Sequence, residues 1–104
     1  MISIGIHRNE SNLVTSCDIS GHAGYDDHGY DIVCAAVSVL STTAMLGLTQ
    51  IAHQPGDYSN SSGQCDMVLT GELNQSGQDI LETMILGLQE ISRQYPKFVQ
   101  IHEK

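Results

Sequence analysis

The 104-residue chain is poor in cations, aromatic residues and proline. Four Lys and Arg oppose twelve Asp and Glu, which gives a formal net charge of −8. A nucleic-acid partner is therefore not expected, because affinity for phosphate needs clustered Lys and Arg. With no Trp and one Phe, the core must be built from aliphatic and Met side chains. The length suits a single domain over residues 1–104, and 40 % hydrophobic residues argue against disorder.

The sequence also lacks the motifs of paired cysteines and of metal-binding sites. The three cysteines, at positions 17, 34 and 65, are an odd number and form no CxxC pair. The N-terminus has no basic segment followed by an apolar one, so a signal peptide is not expected. These features predict free thiols in the cytoplasm. Because no HxxxH and no EF-hand-type loop occurs, neither a metal site nor another cofactor is expected.

Charged residues are absent from the long segment Ile32 to Gly56. Polar residues such as Ser38 and Gln50 interrupt it too often for a typical membrane span, which needs about 20 predominantly apolar residues. We therefore predict a buried helix of a soluble protein, in the core or at a subunit contact. That helix should end before Pro55.

Hydrophobic periodicity predicts five strands and two helices. Strands are expected over residues 2–7 and 13–20, from Tyr58 to a turn at 60–63, over 65–70 and over 98–102. The first helix is expected to follow an N-cap at Asp31, and the second to run from a capping-box-like start at 76–79 to Pro96. The order ββαββαβ predicts an α+β fold, with two helices packed on one mixed or antiparallel sheet.

The most informative stretch is Gly21–Ser38, GHAGYDDHGYDIVCAAVS. It places His22 in a glycine-punctuated loop, predicted to run to Tyr30, and places Cys34 near the predicted helix start. With Asp31 at the N-cap, Cys34 is the third helical residue. Unpaired amides and the positive end of the helix dipole there favour a thiolate. Apolar neighbours and the Asp31 carboxylate oppose it.

The three cysteines permit different interpretations. A histidine beside Cys34 would stabilise a thiolate–imidazolium pair, and His22 can supply it if the loop folds back over the helix. Alternatively, Cys34 is a small buried hydrophobe, the commoner place of a free cysteine. Cys17 and Cys65 occupy apolar strand positions and are predicted to be core residues. Ser38, four residues after Cys34, shares its helix face.

The blocks Gly21-His22-Ala23-Gly24 and DIVCAAVS, residues 31–38, resemble the signature of the ribosomal-processing cysteine proteases of Firmicutes and their relatives. The resemblance implies an α+β homodimer. It also implies a cysteine endopeptidase that removes the N-terminal extension of large-subunit ribosomal protein twenty-seven, cutting between an aromatic pair and a small residue. In such a protease, Cys34 and His22 would form the catalytic dyad. The implied supporting residues are Gly21, Asp31 and Ser38.

The mechanism expected from this resemblance is attack by the Cys34 thiolate on the scissile carbonyl, with His22 as general base and acid. Amides at the helix start, including that of Cys34, are candidates for the oxyanion hole. The loop over residues 21–30 is predicted to close over the substrate as a flap. The acids Asp18, Asp26, Asp27 and Asp31 are expected near the site, where they would attract a basic ribosomal protein.

Two other functions stay open on the sequence alone. One is a binding module that grips a ribosomal protein tail without cutting it. The other is a metal-dependent hydrolase that uses His22 and the loop acids. The protease and the binding module both predict a ribosomal protein as partner, and no direct contact with nucleic acid or a membrane is expected.

Overall fold

The computed structural model describes residues 1–21, 28–61 and 63–103, with the backbone alone for residues 28–31. Its elements are β1 (Ile2–Arg8), β2 (Val14–Ser20), α1 (His28–Gln50), β3 (Gly56–Ser61), β4 (Gln64–Leu69), α2 (Gln75–Gln94) and β5 (Val99–Glu103). The strands form one sheet in the order β3-β4-β2-β1-β5. Strands β1 and β5 run parallel, and the other neighbours run antiparallel. The predicted α+β fold, with two helices on one mixed sheet, is confirmed.

The core lies between the two helices and one face of the sheet. Alternate strand residues point to opposite faces, so the apolar residues of each strand meet the helices. The largest fully buried side chains are Ile4, Ile6, Leu48, Met67, Leu81, Leu88, Val14, Val33, Val99 and Cys17. The other face of the sheet carries polar side chains, among them those of Ser3, His7 and Asp18. Because one face of the sheet is covered and the other is open, apolar and polar residues alternate along the strands, and this alternation predicts them from the sequence.

A β-bulge changes which residues of β2 face the core. The register of β1 against β2 shifts between His7 and Arg8, and β2 begins at Val14, which is fully buried. The buried side chain of Gln78 on α2 completes the hydrogen bonding there. Its Nε2 donates to the Val14 carbonyl at 2.9 Å, and its Oε1 accepts from the Val14 N–H at 2.8 Å. This pair of bonds joins α2 to the sheet.

Helix α1 differs from the prediction in its start and in its burial. It begins at His28, so the prediction of Asp31 as the N-cap and of a loop through Tyr30 is wrong. It ends at Gln50, before Pro55 as predicted. The segment Ile32–Gln50 is long and apolar enough to cross a membrane by length and composition, yet only 28 % of its most apolar window is buried in this chain. Helix α1 packs through one face, and its outer face, which includes the apolar residues Val39 and Leu46, stays exposed.

The second helix and β3 also start or end away from their predicted limits. Asn74 is the N-cap of α2, and its Oδ1 accepts from the N–H of Gly77 at 2.7 Å. The Asn74 side chain also donates to the carbonyl of Ala52 at 2.9 Å, which holds the cap against the segment that follows α1. Ser76 therefore lies inside α2. Strand β3 runs to Ser61, through half of the predicted turn.

Candidate active site

A cleft of about 510 Å³ opens between α1 and one end of the sheet. Helix α1 contributes residues spaced three and four apart, which share one helix face. The sheet contributes the ends of β1 and β2 and the β3–β4 hairpin. The lining residues are Ile2, Ile19, Ser20, Gly21, Cys34, Val37, Ser38, Ser41, Asn60, Ser61, Gly63, Gln64 and Cys65. None of these described lining residues carries a formal charge.

The cleft brings together three of the five residues predicted for the site. Gly21, Cys34 and Ser38 all line it, with Cys34 half-buried and Ser38 exposed. His22 and the side chain of Asp31 lie outside the described residues. The assignment of the dyad and of the Asp31 role therefore stays a prediction. Of the flap predicted over residues 21–30, residues 28–30 belong to α1, and residues 22–27 lie outside the described residues.

Gly21 is required at its position by close backbone packing. Its N–H donates to the carbonyl of Gly63 at 3.0 Å, which joins the end of β2 to the β3–β4 turn. A Cβ atom at this position would lie 2.9 Å from both the Met1 carbonyl oxygen and the Ile2 Cα. Both neighbours are backbone atoms, so a larger residue would displace the strand beside the cleft. Gly21 thus fixes the point from which the chain leaves β2 toward His22.

The early start of α1 changes the predicted electrostatics at Cys34. Cys34 is the seventh residue of the helix, so its N–H donates to the carbonyl four residues earlier. The unpaired amides belong to the first four residues, and the dipole effect falls off within the first turn. The prediction that the Cys34 amide contributes to an oxyanion hole is therefore wrong for this helix.

The other two thiols are buried, as predicted, but Cys65 also forms part of the cleft. Burial raises the pKa of the Cys17 thiol to about 12. Burial also raises the pKa of the Cys65 thiol, against the opposing effect of a hydrogen bond with the Ser41 side chain. Both thiols are therefore protonated at neutral pH. The alternation of Cys65 with Met67 predicted its burial. Its place at the cleft depends on how α1 crosses the sheet, which no local pattern shows.

Asp18 lies on the opposite face of the sheet from the cleft, contrary to the prediction. The strand register places it beside Gly5 and Asp66, and its Oδ1 lies 3.4 Å from the His7 Nε2. Ile19, the next residue, is the one that lines the cleft. Asp26 and Asp27 lie outside the described residues. No carboxylate of the described chain therefore lines the cleft, and the attraction of a basic substrate there has no local source among these residues.

Among the described residues, no group of three or more His, Cys, Asp or Glu side chains could hold a metal ion. The ligands of the metal-hydrolase alternative, His22 and the loop acids, lie outside these residues. The cleft around Cys34 is therefore treated as the candidate active site on the strength of its half-buried thiol.

Comparison with known proteins gives consistent results for sequence and fold. The family model described as "Cysteine protease Prp" matches residues 1–100. The ribosomal processing cysteine protease Prp of Staphylococcus aureus is 32 % identical over 108 residues, with 100 % of both chains covered. The crystal structure of the S. aureus Prp with a substrate peptide has a TM-score of 0.92 at 26 % identity. The structure of that protease with a covalently linked product peptide has a TM-score of 0.90 at 27 % identity.

Both structures and this chain cover each other completely. The match extends over both helices and all five strands, and it includes the segment whose residues first indicated a thiol site. The sequence-based prediction of the family and of a cysteine-type enzyme is confirmed. The chain belongs to the Prp family of ribosomal-processing cysteine proteases.

Proposed function

We propose that this protease removes the N-terminal extension of large-subunit ribosomal protein twenty-seven, which is needed for ribosome maturation. The observation that carries the proposal is the position of Cys34. It is the half-buried cysteine of an open cleft, beside Gly21 and Ser38, while Cys17 and Cys65 are buried. The S. aureus relative is a ribosomal processing protease whose structure contains a substrate peptide. We also propose a cytoplasmic location, which the proposed ribosomal substrate and the three free cysteines support.

In the proposed mechanism, the Cys34 sulfur attacks the scissile carbonyl. The peptide C–N bond breaks, the extension remains as a thioester on Cys34, and His22 gives a proton to the departing amine. His22 then takes a proton from water, which hydrolyses the thioester. Because Cys34 lies beyond the first turn of α1, we assign the main stabilisation of its thiolate to His22 and not to the helix dipole. The oxyanion donors come from groups other than the Cys34 amide.

A peptide that spans the extension and the start of the mature ribosomal protein tests this function. Mass spectrometry should show two products with the wild-type chain and none with Cys34→Ala or His22→Ala. Cys17→Ala is the matched control and should cleave normally. A peptide that stays bound but intact would support the binding-module alternative. Cleavage that survives Cys34→Ala but stops with a chelator would support the metal-hydrolase alternative.

We further propose that the enzyme is a homodimer that associates through the outer surface of α1. Ile32, Val39 and Leu46 recur every seven residues and are 63 %, 64 % and 51 % exposed, so they form one stripe on the helix. The stripe runs beside an apolar groove of about 510 Å³ between α1 and α2. Two copies with a net charge of −8 each repel one another at long range. The part of α1 from Ile32 to Gln50 carries no charged side chain, so this surface adds no local repulsion when two copies meet.

Sedimentation velocity tests this surface with two matched substitutions. Val39→Glu places a charge in the stripe and should convert a wild-type dimer to a monomer. Val68→Glu makes the same change on the open face of the sheet, where Val68 is 44 % exposed, and should leave the dimer intact. A monomeric wild-type chain, or a dimer that tolerates Val39→Glu, would contradict this interface.

A further inference from the structure

The backbone groups of β3 point alternately toward β4 and toward the free edge of the sheet. The N–H of Gly21 donates to the carbonyl of Gly63, and the N–H of Thr70 donates to the carbonyl of Pro55. Successive residues of a strand direct their backbone groups to opposite sides. The odd-numbered residues of β4 therefore bond to β2, and the even-numbered ones bond to β3. Their partners on β3 are residues 57, 59 and 61.

The N–H and C=O groups of Tyr58 and Asn60 consequently point away from β4, at the free edge of the sheet. No other strand of the described chain pairs with this edge. An unpaired edge is a template for another extended chain, and proteins usually protect it with Lys, Pro or a bulge. The stretch Gly56–Ser61, GDYSNS, contains neither residue, and its register against β4 is regular. Among residues 1–21, 28–61 and 63–103, this edge is therefore open for pairing.

This free edge continues into the Cys34 cleft. Asn60 and Ser61, at the end of β3, line the cleft. The side chain of Asn60 lies on the helix-facing side, because its cross-strand partner is the buried Cys65. Its Nδ2 donates to the Oγ1 of Thr42 on α1 at 3.2 Å.

Part of the Asn60 side chain has no hydrogen-bond partner among the described residues. Within the described residues, its carboxamide oxygen accepts no hydrogen bond, and the second N–H of Nδ2 has no partner. A free acceptor and a free donor on one amide are complementary to a peptide group. The other carboxamide at the cleft, that of Gln64, donates instead to Asp66 at 3.1 Å.

We propose that the free edge of β3 binds the peptide substrate as an added strand, with the Asn60 carboxamide as a second contact to the substrate backbone. This inference rests on the proposed protease function and deepens it. Recognition of this kind, called β-augmentation, gains affinity from hydrogen bonds to main-chain groups, while pockets elsewhere determine which side chains are preferred. The edge thus selects an extended, unfolded segment such as a chain terminus, and it holds that segment in line with Cys34.

N-methylation of the substrate backbone tests the added strand with the wild-type enzyme. Each residue outside the scissile pair is N-methylated in turn, and kcat/KM is measured for each peptide. Only alternate residues of an added strand donate to the edge. We therefore expect kcat/KM to fall tenfold or more, mainly through a higher KM, for methylation at positions two residues apart. Methylation at the positions between them should change kcat/KM little. Equal cleavage of all the analogues, or losses without this alternation, would overturn the proposal.

Substitutions at position 60 test the enzyme side. Asn60→Ala removes the carboxamide and keeps the backbone N–H, whereas Asn60→Pro removes both. Proline is tolerated on an edge strand where the N–H faces outward. KM should rise several-fold for Asn60→Ala and further for Asn60→Pro, with kcat little changed. Ser59→Ala, on the opposite face of β3, is the matched control and should behave as wild type.

The outcomes separate this inference from the proposed function. If the wild-type enzyme leaves the unmodified peptide intact, the proposed function fails. If it cleaves that peptide but the N-methyl series shows no alternation, only the strand docking fails. A folded Asn60→Pro variant with wild-type KM would also overturn the docking. If Asn60→Pro does not fold, the N-methyl series decides. Loss of a dimer in Asn60→Pro with unchanged cleavage would assign the edge to contact between copies and contradict the proposal.

Discussion

Thiol alkylation is expected to modify Cys34 alone in the folded chain. Cys17 is 1 % exposed and Cys65 is 4 % exposed, whereas Cys34 is half-buried and lines an open cleft. Iodoacetamide reacts with the thiolate, so both burial and a raised pKa protect a cysteine. The native protein is therefore exposed briefly to iodoacetamide at pH 8.

The expected selectivity follows from the thiolate fraction. With the pKa of Cys17 raised to about 12, about one chain in 10⁴ carries this thiolate at pH 8, because the fraction falls tenfold per pH unit below the pKa. An exposed thiol of ordinary pKa, about 8.5, is roughly 10³-fold more ionised at that pH. Burial raises the pKa of Cys65 as well, and restricted access slows both buried thiols further.

Intact-protein mass spectrometry gives the result directly. The native wild-type chain should take up one carbamidomethyl group and lose proteolytic activity with it. Native Cys34→Ala should take up none, and the denatured wild-type chain should take up three, since all its cysteines are free. A native Cys34→Ala variant that is alkylated as fast as the wild type would refute the assignment of Cys34 as the accessible thiol.

Three further predictions concern stability and substrate capture. Gln78→Ala leaves the buried N–H and C=O of Val14 without partners and should lower the free energy of unfolding by about 2–4 kcal/mol, measured by urea denaturation. Arg8 bonds Glu82 at 2.8 and 2.9 Å and holds the pKa of that half-exposed carboxyl below its usual value. Glu82→Gln should therefore lower the free energy of unfolding by about 1 kcal/mol at pH 7. Added salt should raise KM for a basic peptide, because the chain carries a net charge of −8.

Each of these predictions has a contradicting result. A Gln78→Ala variant as stable as the wild type would show that Val14 finds other partners. A carboxyl whose pKa is lowered by folding stabilises the folded state at pH values above its unfolded pKa. This contribution to the free energy of unfolding is lost as the pH falls through the folded-state pKa. The difference between wild type and Glu82→Gln must therefore shrink from pH 7 to pH 3, and a constant difference would exclude the ion pair as its cause. A salt-independent KM would show that long-range charge does not assist capture.

The strands could be predicted from the sequence because the sheet has one covered and one open face. The alternation of Ile2, Ile4 and Ile6 with small and polar residues reports this asymmetry directly. The same period could have placed Asp18 on the open face, since it alternates with Cys17 and Ile19. Nearness in sequence to Gly21–Ser38 does not bring Asp18 to the cleft, because adjacent strand residues point to opposite faces.

The start and the burial of α1 could not be predicted in the same way. Residues 28–30 follow a glycine-punctuated segment with no apolar period, so a polar N-cap at Asp31 was the strongest local signal. A largely apolar helix has the same sequence pattern whether it lies in a core or at a contact between subunits. The roles of Asn60 and Cys65 at the cleft depend on how the β3–β4 hairpin meets α1, a contact between segments distant in sequence.

Cys34 is proposed as the nucleophile that cuts the ribosomal protein. Rapid acid quenching during turnover, followed by proteolytic mapping, tests it most directly, since a thioester survives acid. We expect the N-terminal extension to be attached through its terminal carbonyl to the fragment that contains Cys34, with more of this species in His22→Ala if any acylation persists there. Turnover without an adduct at Cys34, or with the extension attached to Cys65 or Cys17, would contradict it.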